Sequence, residues 1–353
     1  MQQRVIISQD IEHDLAQAIA ETEHDRVFVL TDDITQECCL PKVAVLFAKH
    51  NATTITIRHD DTNKTLATLA DVWTALQRGG ATRHSLLVNL GGGMVTDLGG
   101  FAAATFKRGI NFINIPTTLL AMVDAAVGGK TGINFGGLKN EVGAFANARY
   151  VIVNTCFLDT LDTANLCSGY AEMLKHSLIS NAQMWAEHVN FDILQPDLAE
   201  LQRMVAASIA VKERIVADDP HEHGIRKALN FGHTVGHALE EFSMQQSTPP
   251  GTLLHGYAVA FGLIGELYIS ARKAGFPTAR LHQTARFIRE NYGAVTFTCD
   301  DYPTLLNLMR HDKKNTADTI NFTLLHDIGD IRINQTATDE EIREALDFIR
   351  EGY

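Results

Sequence analysis

The sequence predicts an α/β amino-terminal domain of the Rossmann type, followed by a mainly helical carboxyl-terminal domain. Up to about residue 118, short apolar runs rich in β-branched residues alternate with helical periods, which is the pattern of a parallel sheet. One of these runs ends in three consecutive glycines before a helix. From residue 160 onward the strand signal fades. We therefore expect an α/β domain of the nucleotide-binding type at 1–155 and a mainly helical domain at 156–353.

Each predicted element follows from its local pattern. The predicted strands are 4–7, 26–31, 53–58, 85–90 and 111–115. The predicted helices between them are 11–22, 43–50, 66–77 and 96–105. In the second part, helical periods cover 171–179, 198–217, 225–242, 256–274, 280–292 and 339–349. Residues 319–325 are the one late β-rich run.

Composition limits the class of protein. The chain has 353 residues, 45% hydrophobic and 20% charged, as expected of a globular enzyme. A net charge of −12 argues against a general nucleic-acid or anionic-membrane binder. The five cysteines are irregularly spaced, without a Cys-x-x-Cys pair, and no signal peptide or 18-residue apolar run is evident. These features predict a cytoplasmic protein.

The first glycine-rich stretch, residues 88–101, has the order strand, glycine turn and helix. Glycines at 91–93 would let a pyrophosphate contact backbone N–H groups at the helix amino terminus. The stretch departs from the strict dinucleotide fingerprint, which needs glycine where this chain has Thr96. Asp97, expected in the first helical turn, could accept ribose hydroxyls. A tight turn with an acidic cap is the alternative.

A second glycine-rich stretch covers residues 127–140 and contains Lys130, Lys139 and Asn140. Gly-Gly-Lys-Thr suggests a Walker A loop, but the upstream glycine spacing is absent. Lysines on a flexible backbone suit a phosphate monoester or a carboxylate instead.

A polar stripe is predicted on the helix at 225–242. Arg226, Asn230, His233 and His237 follow the spacing i, i+4, i+7, i+11 and so would share one face. His255 begins a second apolar helix. Three histidines on two helices suggest a zinc-type site, because burying such polar groups is costly without a partner. A solvated helix face with surface histidines is the alternative.

Taken together, these stretches resemble the 3-dehydroquinate synthase family. The matching blocks, in the family's order, are 91–109, 115–134, 138–145, 169–175, 229–240 and 254–260. The resemblance implies an NAD-binding α/β domain joined to a helical metal domain. It also implies the conversion of 3-deoxy-D-arabino-heptulosonate 7-phosphate (DAHP) to 3-dehydroquinate and phosphate, in the shikimate pathway. The steps are transient oxidation by NAD, β-elimination of phosphate, reduction and intramolecular aldol closure.

The resemblance also implies the site residues. The metal, zinc or cobalt, is expected on Glu172, His233 and His255. The residues alone would make His237 a ligand too, whereas the resemblance places it beside the substrate's phosphate. The implied catalytic residues are Lys130, Lys175, His237 and Asp124. The implied substrate-binding residues are Arg108, Asn140, Lys212, Arg226, Asn230 and one of Lys313 and Lys314. The implied NAD-binding residues are Asp32, Asp61, Lys64, Gly93, Asp97, Thr117, Thr118, Lys130, Lys139, Phe157, Leu158, Asp159 and Thr160.

Some positions depart from the family pattern. Asp60-Asp61 stands where the family usually has Gly-Glu, Tyr257 replaces a glutamate after His-Gly, and Asn165 replaces another. Arg108 resembles an arginine that reaches a neighbouring subunit's phosphate, so a homodimer is expected.

Three other functions stay open. Another sugar-phosphate cyclase, of the 2-deoxy-scyllo-inosose or valiolone type, would differ in the pocket for the substrate carboxylate. A metal alcohol dehydrogenase of the glycerol dehydrogenase type would accumulate NADH with a polyol. A non-catalytic metal- or nucleotide-binding relative would have lost ligands or basic residues, and none is lost.

Overall fold

The computed structural model describes residues 3–245, 252–311 and 319–352. The chain divides into two compact units. The first unit is Met1–Asp162 with Asp197–Ile209, and the second is Thr163–Pro196 with Ala210–Tyr353. None of the described helices is both long and apolar enough to span a membrane.

The first unit is built on a parallel sheet. Its strands are β1 (Arg4–Ile7), β2 (Val27–Asp32), β3 (Thr53–Ile57), β4 (Leu86–Gly91), β5 (Asn111–Pro116), β6 (Lys130–Phe135), β7 (Leu138–Phe145) and β8 (Tyr150–Val153). Six of them form one sheet in the order β1-β8-β5-β4-β2-β3, with every pair parallel. Strands β2, β4 and β8 are buried throughout, because helices cover both faces of such a sheet. All five predicted strands are confirmed, and β8 was not predicted.

Short helices connect these strands. They are α1 (Ile11–Glu21), α2 (Asp33–Cys38), α3 (Ala44–Lys49), α4 (Leu66–Arg78) and α5 (Gly93–Thr105). Thr65 caps α4 by accepting the Thr68 N–H at 3.3 Å. Helix α5 begins at Gly93, three residues before the prediction, because Gly92 is the N-cap and Gly93 is already the first helical residue. Asp97 therefore lies in the second turn, and its predicted place in the first turn is wrong.

The lysine-bearing stretch at 127–140 is not a flexible loop, and that expectation is wrong. Strands β6 and β7 form an antiparallel hairpin instead. Gly136 and Gly137, at φ +61° and +84°, supply the two-residue turn, which requires positive φ at both positions. The backbones approach closely at Gly143, where a Cβ would lie 2.1 Å from the Thr131 carbonyl oxygen. The glycines thus specify a hairpin.

The second unit is mainly helical, as predicted. Its helices are α6 (Thr163–Leu178), α7 (Ala182–Val189), the latter part of α8 (Leu198–Asp218), α9 (His233–Gln245), α10 (His255–Lys273), α11 (Thr278–Tyr292), α12 (Tyr302–His311) and α13 (Asp339–Glu351). Strands β9 (Asn321–Asp327) and β10 (Asp330–Thr336) pair antiparallel, so the late β-rich run has a partner that was not predicted. Helix α10 is buried along most of its length and packs against α6, α9, α11 and α13.

The predicted helix at 225–242 is broken, so the continuous polar stripe is wrong. Residues Ile225–Asn230 form a 3-10 segment, and α9 begins only at His233. Between them Phe231 has ψ 131° and Gly232 has φ +81°, a left-handed conformation that favours glycine. Arg226 and Asn230 therefore do not continue the helical face that carries His233 and His237.

Candidate metal and cofactor sites

Three ligand-type side chains converge in the second unit. Glu172 lies on α6, while His233 and His255 are the first residues of α9 and α10. The Glu172 Oε1 atom is 3.3 Å from His233 Nε2 and 3.6 Å from His255 Nε2. One donor atom from each residue lies within 4.8 Å of the others. A carboxylate oxygen and two imidazole nitrogens fit zinc and leave coordination positions for a substrate.

The second carboxylate oxygen of Glu172 has its own partner. The Lys175 ammonium, one turn along α6, donates to Glu172 Oε2, and both side chains are buried. Burial acts to raise the pKa of the Glu172 carboxyl, but Lys175 and His233 outweigh it and hold that pKa well below its usual range. Glu172 is therefore an anion whose Oε1 faces both histidines.

The Nδ1 atom of each histidine, which points away from Glu172, is also hydrogen-bonded. His233 Nδ1 is 3.1 Å from the Phe231 carbonyl oxygen, so Nδ1 carries the proton and Nε2 is available to a cation. His255 Nδ1 is 2.9 Å from Glu240 Oε2 on α9. Burial acts to lower the pKa of His255, but hydrogen bonds to Glu172 and Glu240 raise it to about 10. Metal binding requires this imidazolium to lose its proton.

His237 lies beside both proposed ligands. Its ring centroid is 5.2 Å from that of His233 and 5.9 Å from that of His255. The close group of donor atoms comprises Glu172, His233 and His255 without it. This arrangement is compatible with the role next to the substrate that the family resemblance implies.

Three of the predicted substrate-binding residues of the second unit lie within its described part. Arg226 is buried and donates to the Pro220 carbonyl at 2.6 Å, and Asn230 donates to Glu222 Oε1 at 2.7 Å. Lys212 on α8 is buried as well. Lys313 and Lys314 lie outside the described residues.

In the first unit, Lys64 joins two of the predicted side chains. Its buried ammonium contacts Asp97 Oδ2 and Asn140 Oδ1, each at 2.5 Å. Burial raises the pKa of the Asp97 carboxyl, although Lys64 opposes this effect. Lys64 thus contacts both Asp97, which was predicted to bind NAD, and Asn140, which was predicted to bind the substrate.

The β6–β7 hairpin is tied to the segment that carries Asp61. Asn134 donates to the Asp61 carbonyl at 2.9 Å and to its carboxylate at 3.2 Å, and Lys139 Nζ is 3.8 Å from that carboxylate. Sequence reasoning did not single out Asn134. Its role depends on a partner 73 positions away, which no local pattern reveals.

The other predicted residues occupy varied positions. Asp32 caps α2 by accepting the Thr35 N–H at 2.7 Å, and Thr118 accepts the Ala121 N–H at 3.2 Å. Lys42 Nζ is 2.7 Å from Asp159, which is exposed. The remaining members differ in burial: Gly93 is half-buried, Thr117, Phe157 and Leu158 are buried, Asp124 is half-buried, and Arg108, Lys130 and Thr160 are exposed.

Glu240 is a further residue beside the candidate metal ligands that sequence reasoning missed. The spacing of His233, His237 and Glu240 at i, i+4, i+7 is a signal that could have found it, since these positions share a helical face.

Known proteins resemble this chain over its whole length. A family model described as 3-dehydroquinate synthase N-terminal matches residues 54–168, and one described as 3-dehydroquinate synthase C-terminal matches residues 169–315. A 3-dehydroquinate synthase of Parabacteroides distasonis is 53% identical, covering 100% of this chain and 99% of that protein. Another, of Clostridium tetani, is 33% identical and covers 92% and 86%.

Solved structures share the fold. A 2-deoxy-scyllo-inosose synthase complexed with carbaglucose-6-phosphate, NAD+ and Co2+ has a TM-score of 0.84 at 22% identity, covering 98% of this chain and 95% of that one. A 2-epi-5-epi-valiolone synthase from Streptomyces hygroscopicus with NAD+ and Zn2+ bound has a TM-score of 0.82 at 24% identity, covering 98% and 96%. On the full-length identity and the two family matches, the chain belongs to the 3-dehydroquinate synthase family.

Proposed function

We propose that this protein converts DAHP to 3-dehydroquinate and phosphate, using NAD that is regenerated in each turnover and a divalent metal, Zn2+ or Co2+. The observation that carries the proposal is the convergence of Glu172, His233 and His255. It occurs in a chain that is 53% identical, over its full length, to a 3-dehydroquinate synthase.

The metal would be held by Glu172, His233 and His255. A metal bound there would lower the pKa of a substrate hydroxyl and so favour its oxidation by NAD. Lys175 supports this arrangement, because it occupies Glu172 Oε2 and leaves Oε1 facing the histidines. His237, next to both imidazoles, is suited to handle a proton where phosphate leaves.

We assign substrate binding and NAD binding to the residues implied by the family. Lys212 and Arg226 supply two buried cations, and Asn230 supplies a half-buried amide, for an anionic sugar acid. Lys64 and Asp97 in the first unit are assigned to NAD, and Asn140 beside them is assigned to the substrate. The division of these roles between residues 1–155 and 156–353 stays a prediction.

The alternatives have weaker support. The cyclases that make 2-deoxy-scyllo-inosose or valiolone share the fold at 22% and 24% sequence identity. Identity at this level shows a common fold and does not indicate a common substrate. A glycerol dehydrogenase from Schizosaccharomyces pombe shares it at a TM-score of 0.65 and 13% identity. A non-catalytic relative is disfavoured because the complete ligand set converges.

The test is an assay of purified protein with Zn2+, NAD and DAHP. We expect stoichiometric release of phosphate and formation of 3-dehydroquinate, without net NADH. Glucose 6-phosphate and glycerol serve as rival substrates, and the His233→Ala variant serves as the inactive control. No phosphate release from DAHP, or turnover of a rival substrate instead, would refute the proposal.

A further inference from the structure

Besides Glu240, another buried carboxylate lies in the same unit, outside the proposed ligand set. Glu266 sits in the middle of α10 and is completely buried. Burying a carboxylate costs several kcal/mol unless hydrogen bonds replace its water. The partners of Glu266 therefore indicate why it is there.

Glu266 binds the backbone at the start of α9. Its Oε2 accepts the Gly232 N–H at 2.8 Å, and its Oε1 accepts the N–H groups of Thr234 at 2.9 Å and Val235 at 3.2 Å. The first N–H groups of a helix have no intrahelical acceptor, and a negative charge there is favourable. The carboxylate of one helix thus caps another.

The capped turn is the one that presents His233. Both backbone neighbours of His233, Gly232 and Thr234, donate to the same carboxylate. Gly262, one turn before Glu266 on α10, leaves so little space that a Cβ there would lie 1.9 Å from the Gly232 carbonyl oxygen. The backbone on each side of His233 is therefore held directly against α10.

This arrangement does more than a local cap can do. Helices α1, α4 and α13 are capped by Asp10, Thr65 and Thr338, which immediately precede them. A local cap fixes a helix only relative to the preceding residue. Glu266 instead fixes the start of α9 relative to α10, and α10 itself begins at His255.

We propose that Glu266 is a positioning residue of the metal site. It holds the backbone of His233 in register with His255 before a metal binds, so that both Nε2 atoms already face Glu172. The inference rests on the proposed metal site. In this role, Glu266 would act through the backbone at His233. It would set the affinity of the site for metal and the coordination geometry.

The test compares Co2+ binding by the wild type and the Glu266→Gln variant. Glutamine keeps the shape but places an NH2 group against one of the three N–H donors. We expect Co2+ affinity, measured by competition with a chelator, to fall about tenfold to a hundredfold, with a changed visible absorption spectrum.

Thr338→Ala is the matched control, because it removes the α13 cap, which accepts the Glu341 N–H at 3.2 Å, and leaves the site intact. It should lose thermal stability and keep the wild-type spectrum.

The outcomes separate this inference from the proposed function. A wild type that binds no Co2+ would overturn both. A folded Glu266→Gln variant with wild-type affinity and spectrum would overturn only the role of Glu266. If that variant does not fold, hydrogen exchange of the metal-free wild type decides. Slow exchange in peptides covering residues 229–240 would support the inference, and fast exchange there would overturn it.

Discussion

At Glu240 a single hydrogen bond decides which way a proposed ligand faces. The carboxylate is 2.9 Å from His255 Nδ1, and the other nitrogen of that ring is 3.6 Å from Glu172. A carboxylate behind a metal-binding histidine fixes the tautomer and orients the ring. Glu240 thus acts on the side chain of one histidine, as Glu266 acts on the backbone of the other.

We therefore expect Glu240→Gln to weaken Zn2+ binding by about tenfold, because an amide orients the imidazole less strongly than a carboxylate does. Chelator competition measures the change. Glu241→Gln is the matched control, since Glu241 is the adjacent carboxylate on the same helix and is exposed. Equal affinities in the two variants would show that Glu240 does not orient His255.

At the scale of elements, α10 carries one proposed ligand and packs against α6 and α9, which carry the other two. It approaches α6 at Gly256, where a Cβ would lie 1.8 Å from the Ser168 carbonyl oxygen, and it approaches the turn before α9 at Gly262. Glycine is required at these two positions because backbone meets backbone there. The spacing of α6, α9 and α10, and hence of Glu172, His233 and His255, depends on this contact.

Gly262→Ala should destabilise the metal-free protein by about 1–3 kcal/mol, because the new methyl group would push α9 away from α10. Gly265→Ala is the control on the same helix. Its methyl group would meet the flexible end of Ile349, 2.9 Å away, and the gain in helix propensity of about 1 kcal/mol offsets much of the strain. Thermal unfolding monitored by circular dichroism distinguishes the two. A Gly262→Ala variant as stable as Gly265→Ala would contradict this account of the packing.

At the scale of the whole molecule, the family resemblance implies a homodimer in which Arg108 serves the partner's site, and this stays a prediction. Arg108 is exposed and lies in a segment of unusual backbone. Lys107, Arg108 and Gly109 have φ of +50°, +70° and +114° in succession. Two consecutive non-glycine residues in this region are strained, and such strain is concentrated at functional sites.

If Arg108 acts across subunits, Arg108→Ala and His233→Ala chains should complement each other. Each variant alone should have little activity. After unfolding and refolding together at equal concentration, half of the dimers are mixed and each has one complete site, which gives about a quarter of wild-type activity. Sedimentation should report twice the mass of one chain. An inactive mixture of dimers would show that Arg108 acts within its own subunit.

Local patterns determined much of this protein. Strands such as β2 and β4 are short, mostly apolar runs, and helices such as α4 and α13 have both an apolar face and a capping residue. These signals involve residues within a few positions of one another, so they can be read from the chain. The proposed ligands Glu172, His233 and His255 came from ordered motifs that resemble a family.

Only the tertiary structure decided how those residues are supported. At the break before α9, three backbone N–H groups donate to Glu266, which lies 31–34 positions later. The hairpin contacts Asp61 through Asn134, which lies 73 positions after Asp61. The helical periodicity of residues 225–242 predicted one continuous helix. No residue near Gly232 in the sequence indicates that a carboxylate more than 30 positions away accepts the backbone N–H groups at this point. Helical periodicity reports local burial, whereas the position of a ligand is set by long-range hydrogen bonds and by backbones that meet at glycine.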